Sequence, residues 1–494
     1  MIGYLELLHL LGPEIILTGA ALLVLAVDLL WLRELEAGLR SLTGSMLLSV
    51  GCVAAFAFIY AVPAQGNYLL GMLVVDPLTN FGRAAILLLT LATAWLPHRF
   101  TRHIGEYFAL LAFAALGMLF LIGSENILML FIALELTSLS LYLLAGFATN
   151  DPRSAEASLK YFLIGGTSAA FTLFGLSLIY GLSGELYLPR IAAALQCPDL
   201  DPLLVIAIVM TMAGLAFKVA AAPFHLWAPD AYEGAPVPAA AFIASGSKVA
   251  GFFVLAKVAL IGFKGAGGSA GVGAFIPGWV PLLAALAVLS MLLGNLAALA
   301  QKSVRRLLAY SAVAHAGYML LAVLSGQSSG FVSLVYYVVT YGLTTLGAFT
   351  VVGIVRDQVG GDRLSDFAGL ARRSPLLGFC MLVFLLSLAG IPPLAGFFGK
   401  FYVFSAVLRV GSGDLSLWWL VAMALAMSAV SLYYYLQVLK QVYVVQPEPG
   451  FSGLQFGIAE KLLTTMLAAA VVVLGCFPEL VLSSLNAAVQ AAGL

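Results

Sequence analysis

Apolar runs about twenty residues long follow one another along this whole chain, with only short connections between them, and that is the length a helix needs to cross the hydrocarbon core of a bilayer. On this spacing the sequence predicts roughly fourteen spans. Their limits fall near 13–32, 42–62, 76–96, 106–123, 126–147, 161–182, 203–222, 237–261, 277–300, 304–325, 331–355, 376–408, 418–439 and 461–485. The runs are continuous rather than alternating in ten-residue strands, which excludes a transmembrane barrel. Composition agrees: 62% of residues are hydrophobic and only 9% are charged. Soluble domains carry about 25% charged residues, so most of this surface must face lipid. The expected fold is an all-α polytopic membrane protein in the lipid bilayer.

Loop charges set the orientation, because Lys and Arg accumulate on the inner side. With the N-terminus outside, the inner loops hold Arg33, Arg40, Arg99, Arg102, Arg153, Lys160, Lys302, Arg305, Arg306, Arg356, Arg363, Arg372, Arg373, Lys440 and Lys461. The outer loops hold only Arg190, Lys264 and Arg409. Both termini are therefore expected outside. The segment Met1 to Leu11 lacks a positive start, so the first span is expected to stay rather than be cleaved as a signal peptide. A net charge of zero leaves no basic footprint for nucleic acid. Cys52, Cys197, Cys380 and Cys476 are scattered, without the clustered thiolates of iron–sulfur or zinc sites. They read as small apolar fillers, and no redox centre or metal is expected. The stretch Gly262–Gly273 loosely matches a dinucleotide fingerprint, but no strand precedes it. It reads as a flexible outer loop.

Some charges stand where none should be. Arg83, Lys218, Lys248, Lys257 and Lys400 fall inside expected spans, and Glu135 sits in the middle of one. Ionisable groups at membrane depth are costly and usually line a polar path. The competing reading is a structural ion pair, or a side chain that snorkels to the interface. Glu135, Lys218, Lys248 and Lys400 read as proton-translocation residues. Arg83 and Lys257 lie nearer span ends and read as snorkelling; Asp28 reads as a helix-end charge near Arg33. Lysine suits proton work, since burial disfavours its charged form and a nearby acid restores it, which makes a Glu–Lys pair a switch. His225 and His315 are possible relay groups, or equally hydrogen-bonded packing.

Two spans carry internal breaks. One reads FKVAAAPFHLW from Phe217 to Trp227, the other GIPPLAGFFGK from Gly390 to Lys400. Proline removes a backbone donor and interrupts the helix, and such breaks at membrane depth are tolerated where they line a cavity or are buried in protein. Each lies within a few residues of one lysine, and five spans separate them. An odd offset inverts one copy relative to the other, the arrangement of inverted-repeat transporters. The expected organisation is 1–105 for helices 1–3, 106–262 for a first five-helix repeat (helices 4–8), 277–442 for a second, inverted repeat (helices 9–13) and 460–494 for helix 14. Helices 7 and 12 are the broken ones.

At these residues the chain resembles the membrane subunit N of bacterial NADH–quinone oxidoreductase (complex I), equivalent to mitochondrial subunit 2. The stretches that carry the resemblance are LELTSLSLY from Leu134, EASLKYFLIG from Glu156, HLWAPDAYEGAP from His225, GSK from Gly246 and GIPPLAGFFGK from Gly390. The resemblance covers essentially the whole chain. It implies fourteen helices with inverted repeats, and a proton path over Glu135, Lys218, Lys248 and Lys400, with Lys160 as another lysine of the pattern. It implies a non-redox, proton-translocating subunit of the enzyme, coupled to quinone reduction elsewhere. NADH, FMN, iron–sulfur clusters and quinone would be bound by other subunits, with no cofactor here. The partners it implies are the antiporter-like subunit M and the small subunits K and J, in the cell inner membrane. Subunit L usually adds a long lateral helix, and subunit M has a glutamate where Lys400 stands; both points favour N. The rival readings are a subunit of a stand-alone cation–proton antiporter, another complex-I-like enzyme, and a passive membrane scaffold.

Overall fold

The computed structural model describes residues 8–62, 65–97, 103–195, 201–271, 274–409, 417–446, 454 and 456–493. Arg99, Arg102 and Cys197, and the first residues of the chain, lie outside that set. Helices fill the expected positions. They are α1 (Gly12–Leu32), α2 (Ala37–Ala61), α3 (Pro77–Ala94), α4 (Ile104–Ile122), α5 (Ile127–Ala145) and α6 (Pro152–Ser183). The first broken unit follows as α7a (Pro202–Lys218) and α7b (Trp227–Gly234). Then come α8 (Val237–Gly262), α9 (Trp279–Leu299), α10 (Val304–Leu324) and α11 (Ser328–Val359). The second broken unit is α12a (Pro375–Ala389) and α12b (Ala395–Arg409), followed by α13 (Trp418–Tyr443) and α14 (Ile458–Cys476). Among the described residues, 11 helices are long and apolar enough to cross a membrane, and α7a and α12a are shorter apolar helices.

Helix starts are written in the sequence. Asp76, Asn126, Asp151, Asp201, Ser303 and Ser374 each accept a hydrogen bond from a backbone N–H of the first turn. Such caps satisfy donors that the helix itself cannot. Pro77, Pro152, Pro202 and Pro375 follow four of these caps at the first helical position, where a missing N–H costs nothing.

One expected span is corrected. The run 461–485 is not a single helix: α14 stops at Cys476, and α15 (Glu479–Ala491) starts after Pro478. The proline removes the donor that continuity would need. α15 is two-sided, burying Leu482, Leu485, Ala488 and Val489 and exposing Leu480, and it packs on α3 and α11. The glycine-rich outer stretch is corrected as well. Ser269–Gly271 pairs antiparallel with Ala274–Ile276, giving a short hairpin. Gly268 takes a φ of +67°, and a Cβ there would sit 2.4 Å from the Ile276 carbonyl oxygen, so glycine permits the close return. A second small hairpin joins Gly66–Tyr68 to Leu73–Val75.

Packing divides the bundle into an inside and an outside. α8, α10 and α11 are almost wholly enclosed, whereas α1, α6, α13 and α14 leave most of their surface outward. Close helix contacts use small residues, as expected where lipid offers no hydrophobic drive. A Cβ on Gly117 of α4 would meet Thr137 and the Ala133 carbonyl of α5. A Cβ on Gly294 of α9 would meet the Ala314 backbone of α10. The lysines that the sequence singled out thus lie on or against the enclosed helices.

Candidate functional site: a buried row of basic groups

α7a ends at Lys218 itself, and the chain then runs irregularly to Trp227. The backbone groups freed by the break find partners. The Trp227 indole donates to the Phe217 carbonyl at 3.2 Å, and the Ala222 N–H donates to Ser290 Oγ of α9 at 2.8 Å. Tyr161 of α6 stacks on Trp227 with ring centres 4.1 Å apart, which pins the break in place. The Lys218 ammonium donates to Ser138 Oγ of α5, and that hydroxyl donates to the Leu134 carbonyl. Glu135 is one turn from Ser138 on the same helix. Its carboxylate is partly buried and lies within coulombic range of Lys218 without contacting it.

The second break mirrors this economy. Gly390 takes a φ of +88°, its N–H and that of Ile391 close back on Leu386, and Gly396 N–H donates to Ser387 Oγ at 3.1 Å. Lys400 of α12b is 4% exposed and donates to Ser428 Oγ of α13 at 2.8 Å and to the Ala389 carbonyl at 3.0 Å. Ala389 is the last residue of α12a, so the ammonium sits at the negative end of a half-helix.

Between the two breaks, α10 serves as a ruler. Lys248 of α8, 1% exposed, donates to the Ala312 carbonyl and lies 5.4 Å from the Tyr341 ring centre. His315 is one turn further along, held at Nδ1 by Tyr337 Oη (2.8 Å) and at Nε2 by Tyr435 Oη (3.2 Å). One turn beyond that, the Lys400 ammonium lies 5.1 Å from the centre of the Tyr318 ring. Six residues of helix from Ala312 to Tyr318 span about 9 Å. Both lysines act electrostatically on His315. The structure therefore brings Lys248, His315 and Lys400 together and sets Glu135 within electrostatic reach of Lys218.

Lys160 and His225 stand apart from this row. Lys160 is exposed and bonds to Glu156 (2.6 Å) and Asp230 (2.8 Å). Arg306 of α10 joins the same network through Asp230 (2.8 Å) and Glu233 (2.9 Å), around a polar cavity of about 290 Å³. His225 is 6% exposed, in the first break, and its Nδ1 has no hydrogen-bond partner among the described residues.

Three expectations are overturned. Arg83 does not snorkel: it is 1% exposed and pairs with Glu14 of α1 at 3.0 Å. Lys257, also 1% exposed, donates to the Ile122 carbonyl at 2.9 Å and pairs with Glu125 at 3.6 Å. Asp28 pairs with Arg40 at 2.6 Å rather than resting near Arg33. In each case an opposite charge brought from another part of the chain neutralises the group in place, so no route to the interface is needed. Sequence reasoning also missed Ser138, Ser428, Ser311, Tyr337 and Tyr435. Only Ser138, one turn after Glu135, carried a signal that could have been read.

Among the described residues no group of His, Cys, Asp and Glu could hold a metal ion. Fold and site together define a multi-pass membrane protein with a row of basic groups at membrane depth. Residues 124–430 match the family model described as NADH:quinone oxidoreductase/Mrp antiporter, transmembrane. The chain is 50% identical to NADH-quinone oxidoreductase subunit N 2 of Acidobacterium capsulatum, over 97% of this chain and 99% of that one. It is 41% identical to NAD(P)H-quinone oxidoreductase subunit 2 of Synechocystis, over 92% and 89%. A chain of respiratory complex I from Thermus thermophilus superimposes with a TM-score of 0.80 at 36% identity, covering 96% of this chain and all of that one. The chain belongs to the NADH:quinone oxidoreductase/Mrp antiporter family, among the NADH-quinone oxidoreductase subunit N proteins.

Proposed function

We propose that the chain is a non-redox, proton-translocating membrane subunit of an NADH–quinone oxidoreductase, and that protons move along Lys218, Lys248, His315 and Lys400. One observation carries this reading. The molecule holds two kinds of cation withdrawn from its surface, Lys218 partly buried and the others fully. Arg83, Lys257 and Arg305 are each met by a carboxylate: Glu14, Glu125 and Asp362. Among the described residues, Lys218, Lys248 and Lys400 are met only by neutral oxygens: Ser138 Oγ, the Ala312 carbonyl, and Ser428 Oγ with the Ala389 carbonyl. A cation meant to stay charged in low dielectric needs a counter-ion. An amine beside hydroxyls and carbonyls is held in position whether or not it carries the extra proton.

Glu135 then acts through space. When its carboxylate is near and charged it favours the protonated form of Lys218; when it is neutralised or moves away, the proton is released inward along the row. Lys248 takes it, His315 bridges and Lys400 is the station of the second half. Redox chemistry, with NADH, FMN, iron–sulfur clusters and quinone, belongs to other subunits. The partners are the membrane-arm subunits M, K and J in the cell inner membrane, with both termini on the outer side. The likeness to a chain of the Mrp complex from Dietzia, 20% identical, extends to the fold alone.

The test is co-purification in mild detergent followed by proton uptake in vesicles. Quinone-reductase subunits should travel with the chain, and Lys248→Ala should assemble yet stop quinone-driven proton uptake. A chain that purifies without them, or a variant that pumps at the wild-type rate, overturns the proposal.

A further inference from the structure

His315 is fully enclosed, and both of its ring nitrogens are occupied by phenols. A neutral imidazole has one donor nitrogen and one acceptor nitrogen. Of Tyr337 and Tyr435, one hydroxyl therefore accepts from the ring and the other donates to it. The Tyr435 hydroxyl is shared once more, with Ser311 Oγ. Ser311 is the residue before Ala312, whose carbonyl receives Lys248. At the other end, Tyr337 packs on Gly399, the residue before Lys400; a Cβ there would sit 2.6 Å from the ring. The run Ser311–Tyr435–His315–Tyr337 thus reaches from the residue before the Lys248 acceptor to the residue before Lys400, through groups that can each give and take a hydrogen.

The neighbouring Asn295 branch provides the contrast. Tyr434 donates to Asn295 Oδ1 at 3.1 Å, and Asn295 Nδ2 donates to Tyr318 Oη at 3.0 Å and to the Met291 carbonyl at 2.8 Å. An amide nitrogen only donates and an amide oxygen only accepts. The Asn295 branch fixes Tyr318 in place but does not pass a proton; the Tyr434 hydroxyl touches both the branch and the Tyr435–Ser311 pair, so Tyr318 is the group that lies off the wire.

We propose that Tyr435 is a proton-relaying residue, the link that makes Ser311, His315 and Tyr337 one wire between Lys248 and Lys400. This rests on the proton-translocating reading above. In the transfer, the proton released by Lys248 is taken at the Ser311 oxygen, and the hydrogen already on Ser311 passes to the Tyr435 oxygen. The Tyr435 hydrogen passes to His315 Nε2, the hydrogen on Nδ1 passes to the Tyr337 oxygen, and the Tyr337 hydrogen leaves for the Lys400 amine. One proton enters and one leaves, every O–H and N–H broken is replaced, and no electrons change hands. Rotation of the hydroxyls and exchange of the imidazole tautomer restore the start.

The experiment uses the whole complex in proteoliposomes, with quinone reduction, proton uptake and subunit assembly measured together. Tyr435→Phe keeps the ring and removes the hydroxyl. It should lower proton uptake at least fivefold in an assembled complex, and Ser311→Ala should move uptake in the same direction. Tyr318→Phe, which removes a hydroxyl that accepts from the Asn295 amide, should stay within twofold of wild type. Should Tyr435→Phe fail to assemble, Ser311→Ala carries the test. Wild-type uptake in Tyr435→Phe, or in Ser311→Ala, overturns the wire. So does an equal loss in Tyr318→Phe, since a packing defect would not distinguish the two hydroxyls. Lys248→Ala and Lys400→Ala are measured alongside. If they lose uptake while Tyr435→Phe does not, the relay stands and only the wire falls. If both lysine variants pump normally, the relay reading itself falls.

Discussion

Methionine at position 248 separates a relay lysine from a structural one. Lys248→Met preserves most of the side-chain volume and removes the ammonium. Keeping a charge of that size out of water costs several kcal/mol even after relaxation. The bond it makes in return, to one carbonyl, contributes roughly 1.5–3 kcal/mol. The balance favours methionine, so the variant should assemble and withstand heat at least as well as wild type while losing proton uptake. Arg83→Met is the opposite case. It leaves the Glu14 carboxylate, 2% exposed, without its cation. Breaking a buried pair on one side costs about 3–5 kcal/mol. The pair should couple, so Arg83→Met with Glu14→Gln should recover most of that loss. The assay is thermal retention of the subunit in the detergent-solubilised complex, with quinone-driven proton uptake measured on the same preparations. If Lys248→Met destabilised the complex as much as Arg83→Met, the lysine would be a structural cation and the distinction between the two kinds would collapse.

The Glu135–Lys218 unit should show non-additivity. Glu135→Gln and Lys218→Ala should each lower proton uptake by roughly a hundredfold, the lower end of what a positioned proton carrier contributes. The double variant should fall well short of the summed losses, Glu135→Asp should keep part of the activity, and strictly additive losses would show that the two do not act together. Lys400→Ala should assemble and pump poorly, and Lys400→Glu should be milder because another titratable group occupies the place between Ser428 and the end of α12a; equal loss in both, measured as initial uptake rate in vesicles, would deny titration its role. Reporter fusions at the C-terminus and in the Arg356–Arg373 connection should report opposite sides of the membrane, with the C-terminus outside, and a cytoplasmic C-terminus would contradict the charge asymmetry.

Much of the fold was legible because lipid is an unforgiving solvent. Every backbone donor must be satisfied within the helix, so span positions follow from apolar length and helix starts from Asp, Asn, Ser and Pro. The two breaks were readable for the same reason, since a proline pair or a proline beside a lysine has no place in an uninterrupted span. What could not be read was pairing between distant segments. Arg83 and Lys257 looked like snorkelling residues because Glu14 and Glu125, which hold them, come from other helices and loops. Ser138 was within reach of inspection; Ser428 and Tyr435 were not, because α13 meets α12b and α10 only in three dimensions.

The two halves of the site differ in a way that bears on how the row is driven. If 106–262 and 277–442 are inverted copies, α5 corresponds to α10 and α7 to α12. The packing fits that correspondence: α4 lies along α5 as α9 lies along α10, and α6 lies along α7a and α7b as α11 lies along α12a and α12b. In the first half, α5 supplies an acid, Glu135, near the lysine of the broken helix. In the second half, α10 supplies a histidine clamped by two phenols near the lysine of the broken helix. A lysine with an acid in range can be switched by moving the acid, because the Coulomb energy falls with distance. A lysine beside a hydrogen-bonded imidazole has no such lever and responds to protons arriving along the wire. On the proposed relay, control of the row would fall to Glu135 and Lys218, with Lys400 following; a motion of α5 relative to α7a would set the direction in which the remaining stations fill and empty.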